Sequence, residues 1–301
     1  MLIYLLFIFN VFLIILNTTV CSMAICITAV FKWFLPTQAL KAQGTKVANK
    51  LMWLWATNNA LILALFNRVE WDVQGGENLR KNGWYLLLSN HLSWLDIVVL
   101  CCVFKDRIPM PKFFLKQQLL YVPFMGMACW ALDMPFMRRY SREYLLRHPE
   151  KRGQDLATTR RSCAKFKCTP TTVVNYVEGT RFTIEKQRKT RSGYQYLLKP
   201  KSGGIAYTLG AMGEQFESII DVTLAYPGSS DKPFRDVLFG RMKKIVVRVN
   251  VRPLNEQVTG DYFNDKPFKR QFQHWLSGIW QEKDQRLKAI YSSETKADQT
   301  K

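Results

Sequence analysis

At 301 residues the chain can bury a full core, as one large domain or as one domain with an appendage. Its 43 Lys and Arg outweigh 23 Asp and Glu, a net charge of +20 with pI near 9.7, which points to an anionic partner: nucleic acid, an acidic membrane surface or a phosphorylated substrate. Seven cysteines and only three histidines, with no companions at zinc-site spacing, leave the thiols expected as buried and free and exclude a structural metal.

Met1 to Phe31 carries no charged side chain. A helix needs roughly 20 apolar residues to cross a hydrocarbon core of about 30 Å, so this run is long enough to span. It exceeds the roughly 7 to 15 residues of a signal-peptide core and lacks a basic stretch before it, which favours an anchor over a cleaved leader. Lys32, Lys41, Lys46 and Lys50 follow it, so the positive-inside rule places the remainder on the cytoplasmic side of the inner membrane. Asn17, Thr18 and Thr19 could instead mark the bend of a hairpin that dips in and returns. The second apolar stretch, residues 51–66, is shorter and interrupted by Thr57, Asn58 and Asn59; it reads as an interfacial helix or an ordinary core helix.

Beyond Phe66 short strands alternate with helices. Strands are predicted over 69–75, 84–90, 131–136, 171–179, 218–228 and 243–254, and helices over 93–104, 155–166, 203–216 and 264–289. That alternation predicts an α/β fold with a mixed, largely parallel sheet flanked by helices, preceded by N-terminal membrane helices. The expected division is 1–67 for the anchoring helices, 68–290 for a catalytic domain and 291–301 for a disordered tail. Arg138 to Lys167 holds ten Lys or Arg against three acids, a stretch suited to an anionic leaflet, to an acidic carrier protein, or simply to solvent.

In "SNHLSWLDIVVL" (Ser89 to Leu100), His91 and Asp96 sit where a buried strand becomes a helix. On a regular helix a separation of five puts side chains about 140° apart, so a His–Asp pair requires His91 on the turn before the helix. Such a pair can act as a general base. The chain has no G-x-S-x-G, H-E-x-x-H, G-x-x-x-x-G-K-[ST] or G-x-G-x-x-G motif, so the attacking hydroxyl is expected on the substrate. Downstream, the apolar strand "VVNYV" runs into Glu178-Gly179-Thr180-Arg181, where glycine permits a sharp turn and the arginine fork suits phosphate oxygens.

These two stretches resemble the N-H-x-x-x-x-D and E-G-T-R signatures of the 1-acylglycerol-3-phosphate (lysophosphatidic acid) acyltransferase family. Between them Lys116, Leu119, Pro123, Gly126 and Arg138 match the K-x-E-L-x-x-x-P-x-x-G block and its following arginine, with Gln118 where glutamate is frequent. "EGTRFTIEK" and "DVTLAYPG" look like the subgroup of lysophosphatidate and lysocardiolipin acyltransferases, in a bacterial-like form. The resemblance implies that His91 is the base and Asp96 its orienting partner. It implies that Glu178, Gly179, Thr180 and Arg181 bind the acceptor, with Lys116 and Arg138 as further phosphate ligands. The implied reaction is acyl transfer from acyl-CoA or acyl carrier protein to lysophosphatidic acid, within phospholipid biosynthesis. Glycerol-3-phosphate, lysocardiolipin or another lysophospholipid are the alternative acceptors. No cofactor, metal or nucleic acid is expected, whereas anionic membrane lipids are. The rival reading is a non-catalytic, basic, membrane-anchored binding protein.

Overall fold

The computed structural model describes residues 1–137, 147–148 and 169–299, with Gln38 and residues 295–299 described by their backbone alone. Arg138, the helix expected over 155–166 and all of the basic segment except Arg147 and His148 lie outside the described residues.

The chain opens with two long helices, α1 (Leu2–Phe34) and α2 (Gln38–Phe66), that pack on each other as a hairpin. Among the described residues α1 is the one helix long and apolar enough to cross a membrane, its most apolar 18-residue window having a mean hydropathy of 2.2. Leu5, Ile8, Phe12 and Ile15 are exposed along it. The bend considered at Asn17 to Thr19 does not occur: α1 runs straight through those residues, and the chain turns instead at Leu35 to Thr37. There Pro36 interrupts the helix and Thr37 Oγ1 accepts from Leu40 N–H, capping α2. The polar residues serve helix pairing. Asn17 Nδ2 donates to Trp55 O at 3.1 Å, Asn58 Nδ2 donates to Asn17 Oδ1 at 3.0 Å, and Trp55 Nε1 donates to Thr18 Oγ1 at 3.1 Å. Side-chain hydrogen bonds of this kind hold helices together where no water competes.

The strands are β1 (Glu70–Gln74), β2 (Tyr85–Ser89), β3 (Pro111–Phe113), β4 (Leu115–Lys116), β5 (Phe136–Met137), β6 (Thr172–Tyr176), β7 (Ser218–Ala225) and β8 (Lys244–Pro253). Six of them form one sheet in the order β1-β8-β7-β2-β6-β3. Among the described residues only the β7–β8 pairing of this sheet is antiparallel, so the sheet is mixed and largely parallel, as the alternation of elements predicts. Central β2 is buried at all five residues, which is why its sequence is almost wholly apolar.

Helices cover both faces. Leu87, Val174 and Ile220 face α3 (Leu95–Phe104), α4 (Met125–Ala131) and the hairpin residues Ile25, Ala48 and Leu63. Leu86, Leu88 and Val173 face the opposite layer, built from α6 (Ser202–Met212) and α8 (Lys266–Gln299). Two short helices, α5 (Ile184–Lys189) and α7 (Pro233–Leu238), lie in the connections.

Two expectations are corrected. The strand predicted over 131–136 is only β5, paired with β4 in a separate two-stranded sheet. Asp133 at φ 57° and Pro135, which has no N–H to donate, break the extended run before it. The tail expected to be disordered from 291 continues α8 to Gln299. Tyr291 Oη accepts from Tyr226 N–H and Glu294 pairs with Lys244 at 2.8 Å, contacts that tie the extra turns to the sheet.

Candidate active site

The parallel strands β2, β6 and β7 end side by side, and the turns that leave β2 and β6 form the site. In open α/β sheets ligands bind outside the carboxyl ends of such strands. The turn Asn90 to Trp94 leaves β2 before α3 begins. Asn90 is pinned to β7, its Nδ2 donating to Leu224 O and its Oδ1 accepting from Leu224 N–H, both at 2.9 Å. His91 therefore lies on the turn, as its spacing from Asp96 requires.

His91 Nδ1 and Asp96 Oδ2 are 2.8 Å apart. Since a carboxylate only accepts, Nδ1 is the donor in this contact, and Nε2 is the ring nitrogen left for a substrate. The imidazole stacks on the ring of Tyr176, centroids 4.0 Å apart and planes at 14°, so it is held on one face and at one nitrogen. Its side chain is 16% exposed, against 0% for Asp96.

Asp96 is held on every side. Oδ2 also accepts from Leu92 N–H at 2.7 Å and Ser93 N–H at 3.0 Å, and Oδ1 accepts from the buried Tyr226 hydroxyl at 2.8 Å. Burial, then the charge of Asp96 beside it, pushes the Tyr226 phenol well above its ordinary range, so it remains a donor. The amides of Leu92 and Ser93 are thereby spent on the carboxylate rather than on a developing oxyanion. Tyr226→Phe is expected to cost about 1.5–3 kcal/mol of stability, as for a hydrogen bond to a charged group, and to lower kcat about tenfold with KM unchanged. An unaltered kcat in steady-state assays, with the protein folded, would refute a positioning role.

The Glu178-Gly179-Thr180-Arg181 turn packs directly against the His91 turn, Phe182 N–H donating to His91 O at 2.7 Å. Gly179 sits at φ 70°, a conformation that favours glycine. The four residues do different things. Glu178 is 1% exposed, with Oε1 accepting from His91 N–H at 3.2 Å and Oε2 from Leu198 N–H at 2.9 Å. The expectation that it contacts the acceptor is thus corrected: both oxygens are engaged inside the fold, bracing the backbone that carries the imidazole. Thr180 Oγ1 accepts from Lys186 Nζ at 2.9 Å. Arg181 is exposed and lies over the Trp94 ring, 5.1 Å from its centroid, leaving its N–H edge for a ligand.

Burial raises the Glu178 carboxyl to about 8, outweighing the pull of the Leu198 and His91 amides. A carboxyl that keeps its proton longer in the folded state makes stability fall as pH rises, here from its ordinary 4.5 through about 8. Glu178→Gln cannot titrate and is expected to flatten that dependence in urea unfolding at pH 5 and pH 8.5. An identical slope in the variant would contradict this assignment.

Lys116 is exposed on β4, next to Leu115, which lines an apolar cavity of about 110 Å³. No side-chain hydrogen bond or ion pair among the described residues links Lys116 to Arg181 or to the His91–Asp96 pair. Trp94, Ile97 and Phe113 form the cavity wall nearest the dyad, while Ile25, Met52 and Trp55 of the hairpin close it. Gly126, in the block after Lys116, allows α4 to press on the preceding turn: a Cβ there would lie 2.2 Å from Leu120 O. Tyr176, Tyr226 and Trp94 are the site residues that sequence reasoning passes over.

Comparison with known proteins places the chain among acyltransferases. A family model described as Acyltransferase matches residues 70–225, slightly more than half of the chain. Lysocardiolipin acyltransferase 1 of Danio rerio is 23% identical over 266 residues, covering 82% of this chain and 62% of that protein. Human 1-acyl-sn-glycerol-3-phosphate acyltransferase gamma is 26% identical over 191 residues, covering 60% of this chain and 46% of that protein. The chain thus spans about half to six-tenths of the length of these curated relatives. The crystal structure of the 1-acyl-sn-glycerophosphate acyltransferase PlsC from Thermotoga maritima has the same fold, with TM-score 0.56 at 14% identity over 93% of this chain and 95% of that one. On the family match, these relatives and the two signatures, the chain belongs to the 1-acylglycerol-3-phosphate acyltransferase family.

Proposed function

We propose that the protein transfers a fatty acyl group from a thioester donor, acyl-CoA or acyl carrier protein, to the free hydroxyl of lysophosphatidic acid, giving phosphatidic acid. The observation that carries this reading is the His91–Asp96 pair, fixed at 2.8 Å with its second ring nitrogen unspent, beside an exposed arginine. Nε2 of His91 takes the hydroxyl proton as the oxygen attacks the thioester carbonyl carbon. The C–S bond then breaks, and the departing thiolate takes the proton from the imidazolium. Asp96 keeps the tautomer and supports the positive ring.

Arg181 holds the acceptor phosphate, with Lys116 and Arg138 as further candidates. Arg181→Ala is expected to raise the acceptor KM about tenfold or more while kcat changes less. An unchanged acceptor KM would remove Arg181 from the binding site. Part of the acyl chain enters the apolar cavity behind Trp94, and the hairpin seats the enzyme in the inner membrane with its α/β domain on the cytoplasmic side, where anionic lipids meet the basic surface.

Lysocardiolipin and other lysophospholipids are the second reading for the acceptor, favoured by the activity for which the Danio rerio relative is named. A panel of acceptors at one fixed donor, compared by kcat/KM, decides between them.

A further inference from the structure

On the face of the sheet away from the hairpin, a groove of about 990 Å³ opens between the segment leading into α6 and the first half of α8. Arg191, Lys199 and Arg270 line it, with His274 and Tyr194, against one acid, Asp284. That acid is already occupied, Oδ2 accepting from Gln195 N–H at 2.9 Å and Oδ1 from Tyr196 N–H at 2.8 Å. The side chains of Arg191, Lys199, Arg270 and His274 are exposed and make no hydrogen bond or ion pair among the described residues.

Three cations against one carboxylate leave the groove net positive, which raises the local concentration of anions. Arg191 is held there at φ 47°, a left-handed conformation that a non-glycine residue keeps only when its surroundings impose it. The next residue supplies part of that hold, Ser192 Oγ donating to Leu197 O at 2.8 Å. The first turn of α6, beginning at Ser202 on the groove wall, adds its partial positive charge.

The position selects among anions. The apolar hairpin packs on the α3 layer and the groove on the α6 and α8 layer, so the groove lies across the sheet from the apolar helices. We propose that the groove binds a soluble ligand with clustered phosphates, of the kind found at the nucleotide end of coenzyme A. The choice of coenzyme A rests on the proposed thioester donor; the phosphate chemistry does not. A cavity of this size matches the upper range of small-molecule sites, and Tyr194 offers an aromatic ring beside the cations. The same segment supplies Leu198 N–H to Glu178 and Lys201 N–H to Val177 O, which sets the groove at the carboxyl edge of the sheet that carries His91.

The test is calorimetric titration of the full chain in detergent with coenzyme A, pyrophosphate and inorganic phosphate, for the wild type and for Arg191→Ala/Lys199→Ala/Arg270→Ala. Because all three side chains are exposed, the variant is expected to fold, checked by its thermal transition. Coenzyme A is expected to bind the wild type at least tenfold more tightly than the triple variant, with pyrophosphate competing and inorganic phosphate weaker. Pyrophosphate binding without coenzyme A binding would assign the groove to a free polyphosphate. Equal affinities of wild type and variant for both ligands would overturn the proposal. So would a variant that loses only its binding to anionic vesicles, or only its binding to an acidic carrier protein. Repeating the titration with His91→Ala separates the two readings: groove binding is expected unchanged there, whatever becomes of acyl transfer.

Discussion

Replacing His91 by alanine is expected to lower kcat about 10²- to 10⁴-fold, the usual worth of a positioned general base, with the KM for either substrate within about twofold. The imidazole is tied at Nδ1 to Asp96 and stacked on Tyr176, so its removal deletes the base while Arg181 and the cavity stay in place. Asp96→Asn is expected to match much of that loss by a different route. An amide can meet Nδ1 with its own N–H and favour the wrong tautomer, and it presents a donor to one of the four groups that now donate to the carboxylate. Steady-state kinetics with both variants checks this. Two variants that keep wild-type kcat would remove the pair from the mechanism.

The largest expected effect on stability lies behind the site. Lys283 reaches from α8 into the sheet, 0% exposed, and pairs with Asp221, also 0% exposed, at 2.6 Å. Its ammonium also donates to Val222 O, and burial lowers its pKa despite the neighbouring Asp221 charge. Removing one member of a buried pair leaves the other short of counter-charge and costs up to about 3–5 kcal/mol, with Arg252 Nη2, 3.4 Å from Asp221 Oδ2, as the cation that remains here, whereas replacing both members by apolar side chains of similar volume is often neutral. Lys283→Ala is therefore expected to destabilise by up to about 3–5 kcal/mol in urea unfolding, less by whatever the longer Arg252 contact retains, and Lys283→Met with Asp221→Leu to recover most of it. A double variant as unstable as the single one would show that the ion pair itself, not the stranded carboxylate, carries the energy.

This pair also shows why parts of the molecule were illegible in the sequence. Lys283 reads as one more charge on the polar side of an amphipathic helix, because its partner lies 62 residues away on β7. Tyr226 is hidden for the same reason, 130 residues from the carboxylate it binds. His91 and Asp96 were legible because a turn brings near neighbours together, and the sheet because fully buried parallel strands leave short apolar runs between helices. Asn17 and Thr18 misled in the opposite direction. Polar residues within an apolar run suggest a break, yet here their partners on α2 let the helix continue. Glu178 was identified as part of the site but with the wrong task, since only the folded contacts show that both its oxygens face backbone amides.

The most direct test of the central claim traces a labelled acyl group from its thioester into product. Wild-type protein in mixed micelles, given lysophosphatidic acid and labelled acyl-CoA, is expected to yield labelled phosphatidic acid with no label on the protein. Tyr226→Phe is expected to do so more slowly and His91→Ala hardly at all. Label that first accumulates covalently on the protein and then passes into phosphatidic acid, or product formed at the wild-type rate by His91→Ala, would contradict a histidine base acting on a lipid hydroxyl.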